Sequence, residues 1–258
     1  MTSSERFGAA PIDEQGTTEA QWQSWLSARE WPELEVTVDR LIVLAAHPDD
    51  EVLGAGGMML AAAAAGIDVV PVCLSDGSGS HPGSPTMSPG ELAARRRDEL
   101  DVALEVLGIG RSRWFGLPDG GLELEHDAMA SIINDIVDDT CGESPEATLG
   151  VLAVWEHDGH PDHEAVGRCA REIANVRGLQ LWQYPIWMWH WAIPDDLTIP
   201  WDELRRYRLS TTSLATKRTA ISAFDTQLNP LSPDPADQPV LLPHILDRLT
   251  RTHEYVFG

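Results

Sequence analysis

Leu41–Ala46 is an unbroken apolar run that ends in the polar string His47-Pro48-Asp49-Asp50-Glu51. A run without polar alternation has no solvent face, so it suits a strand covered on both sides, the condition found in parallel sheets. The same pattern recurs at Asp68–Leu74 and at Leu149–Trp155. Helical spacing fills the intervals: Val52–Ala65 closed by Gly66, Glu91–Leu107 stopped by Gly108, Asp127–Val137, and Glu164–Val176. Shorter strands are expected at Arg113–Phe115 and Gln180–Tyr184. Further helices are expected at Ser213–Phe224 and Val240–Arg251, on either side of a Pro-rich loop. Strands alternating with helices predict an α/β fold, a doubly wound, mostly parallel sheet with helices on both faces and right-handed crossovers. Sites in such sheets lie beyond the carboxyl ends of strands. That rule directs attention to the residues after Ala46 and after Trp155.

A chain of 258 residues can bury one sizeable core. Residues 1–32 read as an N-terminal arm with a short helix, and residues 33–258 as the domain. Within the arm, residues 1–18 are rich in Ser, Thr, Gly and Glu and are expected to be mobile. Trp22, Trp25 and Leu26 stand at helical spacing and could pack a short helix on the body. The stretch from Ser75 to Gly90 holds five Ser, four Gly and three Pro, the composition of a functional or lid loop.

Acidic residues number 41 against 18 Lys plus Arg, a net charge of -23. Such a field repels phosphate backbones and anionic headgroups, so neither nucleic acid nor a membrane surface is an expected partner. Three scattered cysteines make neither a disulfide framework nor a thiolate zinc site. No apolar run approaches a membrane span and Met1–Gly16 lacks an apolar signal core, which gives a cytoplasmic reading.

After the third apolar run comes Trp155-Glu156-His157-Asp158-Gly159-His160-Pro161-Asp162-His163. Either His-Pro-Asp string alone could be a turn and a helix cap. Two of them, each following a buried strand, are better read as one site. Imidazole plus carboxylate is a ligand set suited to zinc, and three protein ligands with an open fourth position mark catalytic rather than structural use.

The sequence resembles the LmbE-like or PIG-L deacetylases. The likeness rests on Ala46-His47-Pro48-Asp49-Asp50-Glu51, Gly54-Ala55-Gly56-Gly57 and His160-Pro161-Asp162-His163. It extends to Arg96-Arg97-Asp98-Glu99-Leu100, to Leu117-Pro118-Asp119-Gly120 and, more weakly, to Lys217 and Gln227. The resemblance implies a Rossmann-type sheet and a hydrolase that removes an N-acyl, chiefly acetyl, group from an amino sugar or glycoconjugate. It implies His47, Asp50 and His163 as ligands of one Zn2+ per chain, with Fe2+ as the alternative metal. Asp49 would be the general base toward metal-activated water. His160 would protonate the leaving amine or stabilise the oxyanion, with Asp162 orienting it. Arg96 and Asp119 would contact substrate, although a solvated helix face and a plain turn are the respective structural readings.

Two other readings were weighed. Gly54-Ala55-Gly56-Gly57 is not a dinucleotide fingerprint, because Met59 stands where the last glycine belongs; close helix packing explains the glycines better. Trp187, Trp189 and Trp191 would share one face of an extended stretch, as a stacking wall, as core, or as the interface of a homo-oligomer. The competing functions are a zinc amidase acting on a non-sugar N-acyl compound and a non-catalytic binding protein that keeps the fold.

Overall fold

The computed structural model describes residues 1–143 and 146–258. Its centre is a seven-stranded sheet in the order β3-β2-β1-β4-β5-β7-β6. The strands are β1 (Arg40–Ala45), β2 (Asp68–Ser75), β3 (Arg113–Leu117), β4 (Leu149–Val154), β5 (Gln180–Tyr184), β6 (Leu204–Arg208) and β7 (His253–Phe257). β1 to β5 are parallel, whereas β7 runs antiparallel to both β5 and β6. The parallel portion is the doubly wound sheet expected from the apolar runs. β1 and β4 are its innermost pair, and every residue of β4 is buried, which is why those two runs carry no polar alternation.

Around the sheet lie α1 (Ser3–Gly8), α2 (Glu19–Ser27), α3 (Asp50–Ala64), α4 (Pro89–Val106), α5 (His126–Glu143) and α6 (Pro161–Arg177). They are followed by α7 (Met188–Trp191), α8 (Thr211–Ile221), α9 (Asp225–Leu228) and α10 (Pro243–Leu249). The helix expected to begin at Val52 begins at Asp50, and the one expected at Glu164 begins at Pro161. Both functional strings therefore run into first turns of helices rather than ending before them.

The glycines of α3 allow close approach. A Cβ on Gly54 would lie 2.1 Å from the Tyr184 ring, and one on Gly57 would lie 2.4 Å from Leu209. Tyr184 is held by a 2.9 Å bond from its hydroxyl to the carbonyl of Leu44 on β1. Glu254 of β7 accepts the N–H groups of Gly57 and Met58 at 2.8 and 2.7 Å. Lys217 of α8, buried beside it, donates to Glu254 and to the carbonyl of Leu53, each at 2.7 Å. Gly57 N–H and Leu53 C=O are partners in an ordinary α-helix. Here a buried ion pair engages both and pins α3 to the last strand and to α8.

The tryptophans take the core reading, on a helical rather than an extended stretch. Met188–Trp191 is a single helical turn, and Trp182, Trp187, Trp189 and Trp191 are all buried. Trp22 and Trp25 of α2 pack edge-on against this group, Trp22 on Trp189 at 5.0 Å and Trp25 on Trp201 at 4.7 Å between ring centroids. The cluster offers no exposed aromatic face of the kind that suggested a homo-oligomer. The arm expected to be mobile forms α1 and lies on the body: Thr17 N–H bonds the carbonyl of His190 at 3.0 Å, and Arg248 donates to Thr17 O at 2.8 Å. No helix among the described residues is long and apolar enough to cross a membrane.

Candidate active site

The carboxyl ends of β1 and β4, adjacent in the sheet, deliver the two polar strings to one place. His47 follows β1, and its N–H donates to Asp50 Oδ2 at 2.8 Å across the turn. That bond fixes Asp50 in the first turn of α3. Asp49 occupies the N-cap position yet makes no capping bond; its carboxylate instead takes Arg96 Nη2 at 3.0 Å. On the other side His160 caps α6 with an imidazole, Nδ1 accepting the Asp162 N–H at 3.3 Å. Pro161 stands at the first helical position, where a missing N–H costs nothing, and His163 follows in the same turn.

Three donor atoms converge. His47 Nδ1 is 3.1 Å from His163 Nε2 and 3.5 Å from Asp50 Oδ2, and His163 Nε2 is 3.3 Å from Asp50 Oδ1. Two ligands bound at ~2.0–2.1 Å to one tetrahedral zinc stand ~3.3 Å apart, and each pair of these side chains offers donor atoms near that separation, with His47 and His163 facing different oxygens of Asp50. Other groupings overlap it: His47 with His160 and His163, and His47 with Asp119 and Asp162, also bring three donor atoms within 4.8 Å of one another. Burial opposes charge on His47, but Asp119, Asp162 and Asp50 outweigh it and raise its proton affinity well above the ordinary value. His163 is also buried, and Asp50 with Asp158 pushes it up to about 9. Carboxylates that draw protons onto two imidazoles draw a metal cation for the same reason, and the residues present fit one.

The outer faces of these imidazoles are occupied. His47 Nε2 lies 3.1 Å from Asp119 Oδ1 and 3.2 Å from Asp162 Oδ2. His163 Nδ1 lies 2.8 Å from Asp158 Oδ2. Imidazole–carboxylate pairs of this kind fix the tautomer and aim the other nitrogen at a metal. Asp158 stands close to the site by sequence, as does His157, and fits no pattern beyond an expected tuning of specificity. It is wholly buried, and its carboxylate also accepts the N–H groups of Ile186, Trp187 and Met188 at 2.8–3.0 Å. No local pattern announces it, because its partners lie five residues ahead and some thirty residues on.

Asp162, Arg96 and Asp119 each make contacts beyond those expected of them. The Asp162 carboxylate does not reach His160; it accepts the N–H groups of Gly120 and Leu122 at 2.7 and 3.0 Å and faces His47. Its hydrogen bond to His160 runs from the main-chain N–H, and the carboxylate adds a charge interaction with that ring. Arg96 is buried rather than solvated, with Nη1 on the carbonyl of Gly77 at 2.9 Å and Nη2 on Asp49. Asp119 is more than a turn residue, since it accepts Gly79 N–H at 2.8 Å and faces both His47 and Arg96.

A cavity of about 110 Å³ opens on the cluster. Its lining combines the polar Asp49, Arg96, Asp119 and His160 with the apolar Leu53, Ile186, Trp187, Val240 and Leu241. Gly79 and Ser80 bring the Ser75–Gly90 loop to its edge. Pockets that hold whole drug-sized ligands run to roughly 300–1,000 Å³, so this space suits one reacting group, with the rest of a ligand outside. Burial raises Asp49 although Arg96 opposes it, which suits a base. Burial, together with the facing His47 and His163, holds His160 down to about 3. Neutral, and accepting at Nδ1, its ring carries the proton on Nε2 as a hydrogen-bond donor.

Comparison with known proteins places this arrangement in context. The profile of the PIG-L family, described as GlcNAc-PI de-N-acetylase, matches residues 42–174, just over half the chain. A diacetylchitobiose deacetylase from Thermococcus kodakarensis is 32% identical over 143 residues, covering 55% of this chain and 51% of that protein. The chain thus spans about half the length of the curated relatives it matches. Among solved structures, a pseudoaglycone deacetylase superposes with a TM-score of 0.60 at 24% identity, covering 85% of this chain and 96% of that one. The zinc-inhibited form of teicoplanin deacetylase does so at 0.59 and 19% identity, covering 73% and 84%. At those identities the structural likeness establishes the fold.

Proposed function

This chain belongs to the PIG-L family, and on that premise we propose that it is a metal-dependent hydrolase releasing a free amine from an N-acyl, foremost N-acetyl, amino sugar or glycoconjugate. The observation that carries the reading is the convergence of the His47, Asp50 and His163 side chains, with Asp49 beside them, on a cavity of about 110 Å³. A relative named as a diacetylchitobiose deacetylase supports the substrate class.

His47, Asp50 and His163 would hold the ion, with zinc the metal their donor set suits best and ferrous iron the alternative. When bound, such an ion polarises the amide carbonyl and lowers the pKa of a coordinated water to about 7. Asp49, raised by burial and steadied by Arg96, accepts the proton of the attacking water. His160 donates from Nε2 to the carbonyl oxygen as negative charge grows there, the second of the two roles expected of it. The proton on Asp49 is then available to the departing nitrogen, since an amine leaves only once protonated. Arg96 and Asp119 line the cavity, where sugar hydroxyls would bond. Asp158, Asp119 and Asp162 hold the two imidazoles in position.

The apolar lining residues Leu53, Ile186, Trp187, Val240 and Leu241 favour a second reading, in which the N-acyl compound is not a sugar. The test is amine release from matched N-acetyl amino sugars and apolar N-acetyl amines, with metal content measured by elemental mass spectrometry. About one zinc or iron per chain and turnover of the sugars supports the first reading. Turnover of the apolar amines alone supports the second. Protein that neither carries nor regains metal sinks both.

A further inference from the structure

We propose that the N-terminal segment is a working part of this active site and that Phe7 is a positioning residue for His160. The proposal rests on the hydrolase reading for its kinetic consequence but not for its structural one. The family match begins at residue 42, so the segment lies outside the shared core. Yet it reaches the one edge of the cavity where His160 stands.

His160 is braced on its inner side by His47 and His163, with ring centroids 4.8 and 4.9 Å away, and Asp162 N–H fixes its Nδ1. The outer side is closed by Phe7 of α1. Its ring centroid is 6.0 Å from that of His160 and 5.3 Å from that of Trp187, the aromatic residue lining the cavity. The loop is shaped to receive it. Gly159 has φ +97, and a Cβ there would lie 2.7 Å from Phe7 Cβ and 2.6 Å from Trp191 Nε1. Only glycine lets α1 lie against the main chain one residue before His160.

Independent ties hold α1 in that place. Glu164, in the first turn of α6, accepts Gly159 N–H at 3.1 Å and also the hydroxyls of Ser3 and Ser4, the latter at 3.1 Å. One carboxylate thus joins the arm to the loop that carries His160. Arg6 lies 4.4 Å over the Trp191 ring and pairs with Asp196. Beyond the helix, His190 Nε2 bonds the carbonyls of Ala10 and Pro11 at 3.2 and 3.1 Å. Phe7 touches no reacting atom. It removes the freedom of His160 to swing outward, and a displacement of about 1 Å in a group that must meet a developing charge can cost as much as 10²-fold in rate.

The test is Phe7→Ala in the full chain, loaded with its metal, with Phe7→Leu as the conservative variant. Proton NMR follows the ring C–H signals of His160, assigned by their loss in His160→Gln. Phe7→Ala should move those signals and lower kcat about tenfold or more, with KM within about twofold and metal content unchanged; Phe7→Leu should restore most of kcat. Should Phe7→Ala fail to fold, Ser3→Ala with Ser4→Ala, which cuts the tie to Glu164, tests the same docking. Unmoved His160 signals overturn the proposal whatever the activity. Moved signals with wild-type kcat, in a protein that releases amine, overturn the positioning role. A wild type that releases no amine from any N-acyl amine counts against the hydrolase reading, and the His160 signals then decide the arm by themselves.

Discussion

At the scale of single residues, the site divides into what touches the reaction and what aims it. Asp49→Asn keeps the shape of the side chain but exchanges one carboxylate oxygen for an NH2 donor and cannot take a proton. It is expected to retain metal and lose a factor of about 10² or more in kcat, which paired metal and rate measurements would reveal; an active Asp49→Asn would disprove its role as base. Asp158→Ala leaves the three proposed ligands intact and removes the carboxylate behind His163. Metal affinity should fall about 10–100-fold, read by competition with a chelator, and an unchanged affinity would mean that Asp158 serves only the Ile186–Met188 turn. These residues were unequally legible in the sequence. His47, Asp50, His160 and His163 lie in strings that follow apolar runs, so the alternation of strands and helices was enough to bring the strings together, while the choice of residues within them came from the family resemblance. Arg96 looked as much like a solvated helix face as a site residue, because one turn of sequence does not say which way a helix is rotated. Asp158 had no signal of its own, since its role is to bridge segments that only the fold makes neighbours.

At the scale of elements, the expected helices and strands came out within a few residues wherever apolar periodicity was strong. They were missed where it was weak. β6 reads Leu-Arg-Arg-Tyr-Arg, too charged to resemble a core strand, and its outer side is covered by Pro32–Leu34, whose Glu33 bridges Arg206. β7 is half charged in its first two residues and short. The tryptophan stretch was taken as extended because residues two apart alternate, whereas a single helical turn can bury all of them against other aromatic rings. The glycines of α3 were read as packing positions, and the fit of Gly54 to Tyr184 bears this out. Gly54→Ala places a methyl carbon inside the van der Waals contact of a ring whose hydroxyl is already committed to β1. Overpacking of this sort costs about 1–3 kcal/mol, measurable by denaturant titration. A stability equal to wild type would mean that Tyr184 can move without loss.

At the scale of the molecule, the domain closes on itself through aromatic contacts between its first thirty residues and the segment after β5. Trp22 is fully buried, donates to the carbonyl of Trp189 at 2.7 Å and touches three other indoles. Trp22→Ala should cost about 3–5 kcal/mol, a fall in Tm on the order of 10 °C for a chain of this size. Calorimetry showing only a degree or two would mean that α2 is an appendage. Composition alone could not show this closure, because a polar, Ser-rich beginning looks the same whether it is tethered or free. The grip of Glu254 on α3 adds an element of timing. That carboxylate is separated from Gly57 by 197 residues, so during synthesis at 5–20 residues per second it follows the helix by roughly 10–40 s. A ribosome-bound chain stalled short of residue 254 therefore carries all three proposed ligands while α3, which bears Asp50, still lacks its tie to β7. Protease should cut α3 in such stalled chains and spare it in finished ones, which would make a secured Asp50 among the last features of the proposed site to form.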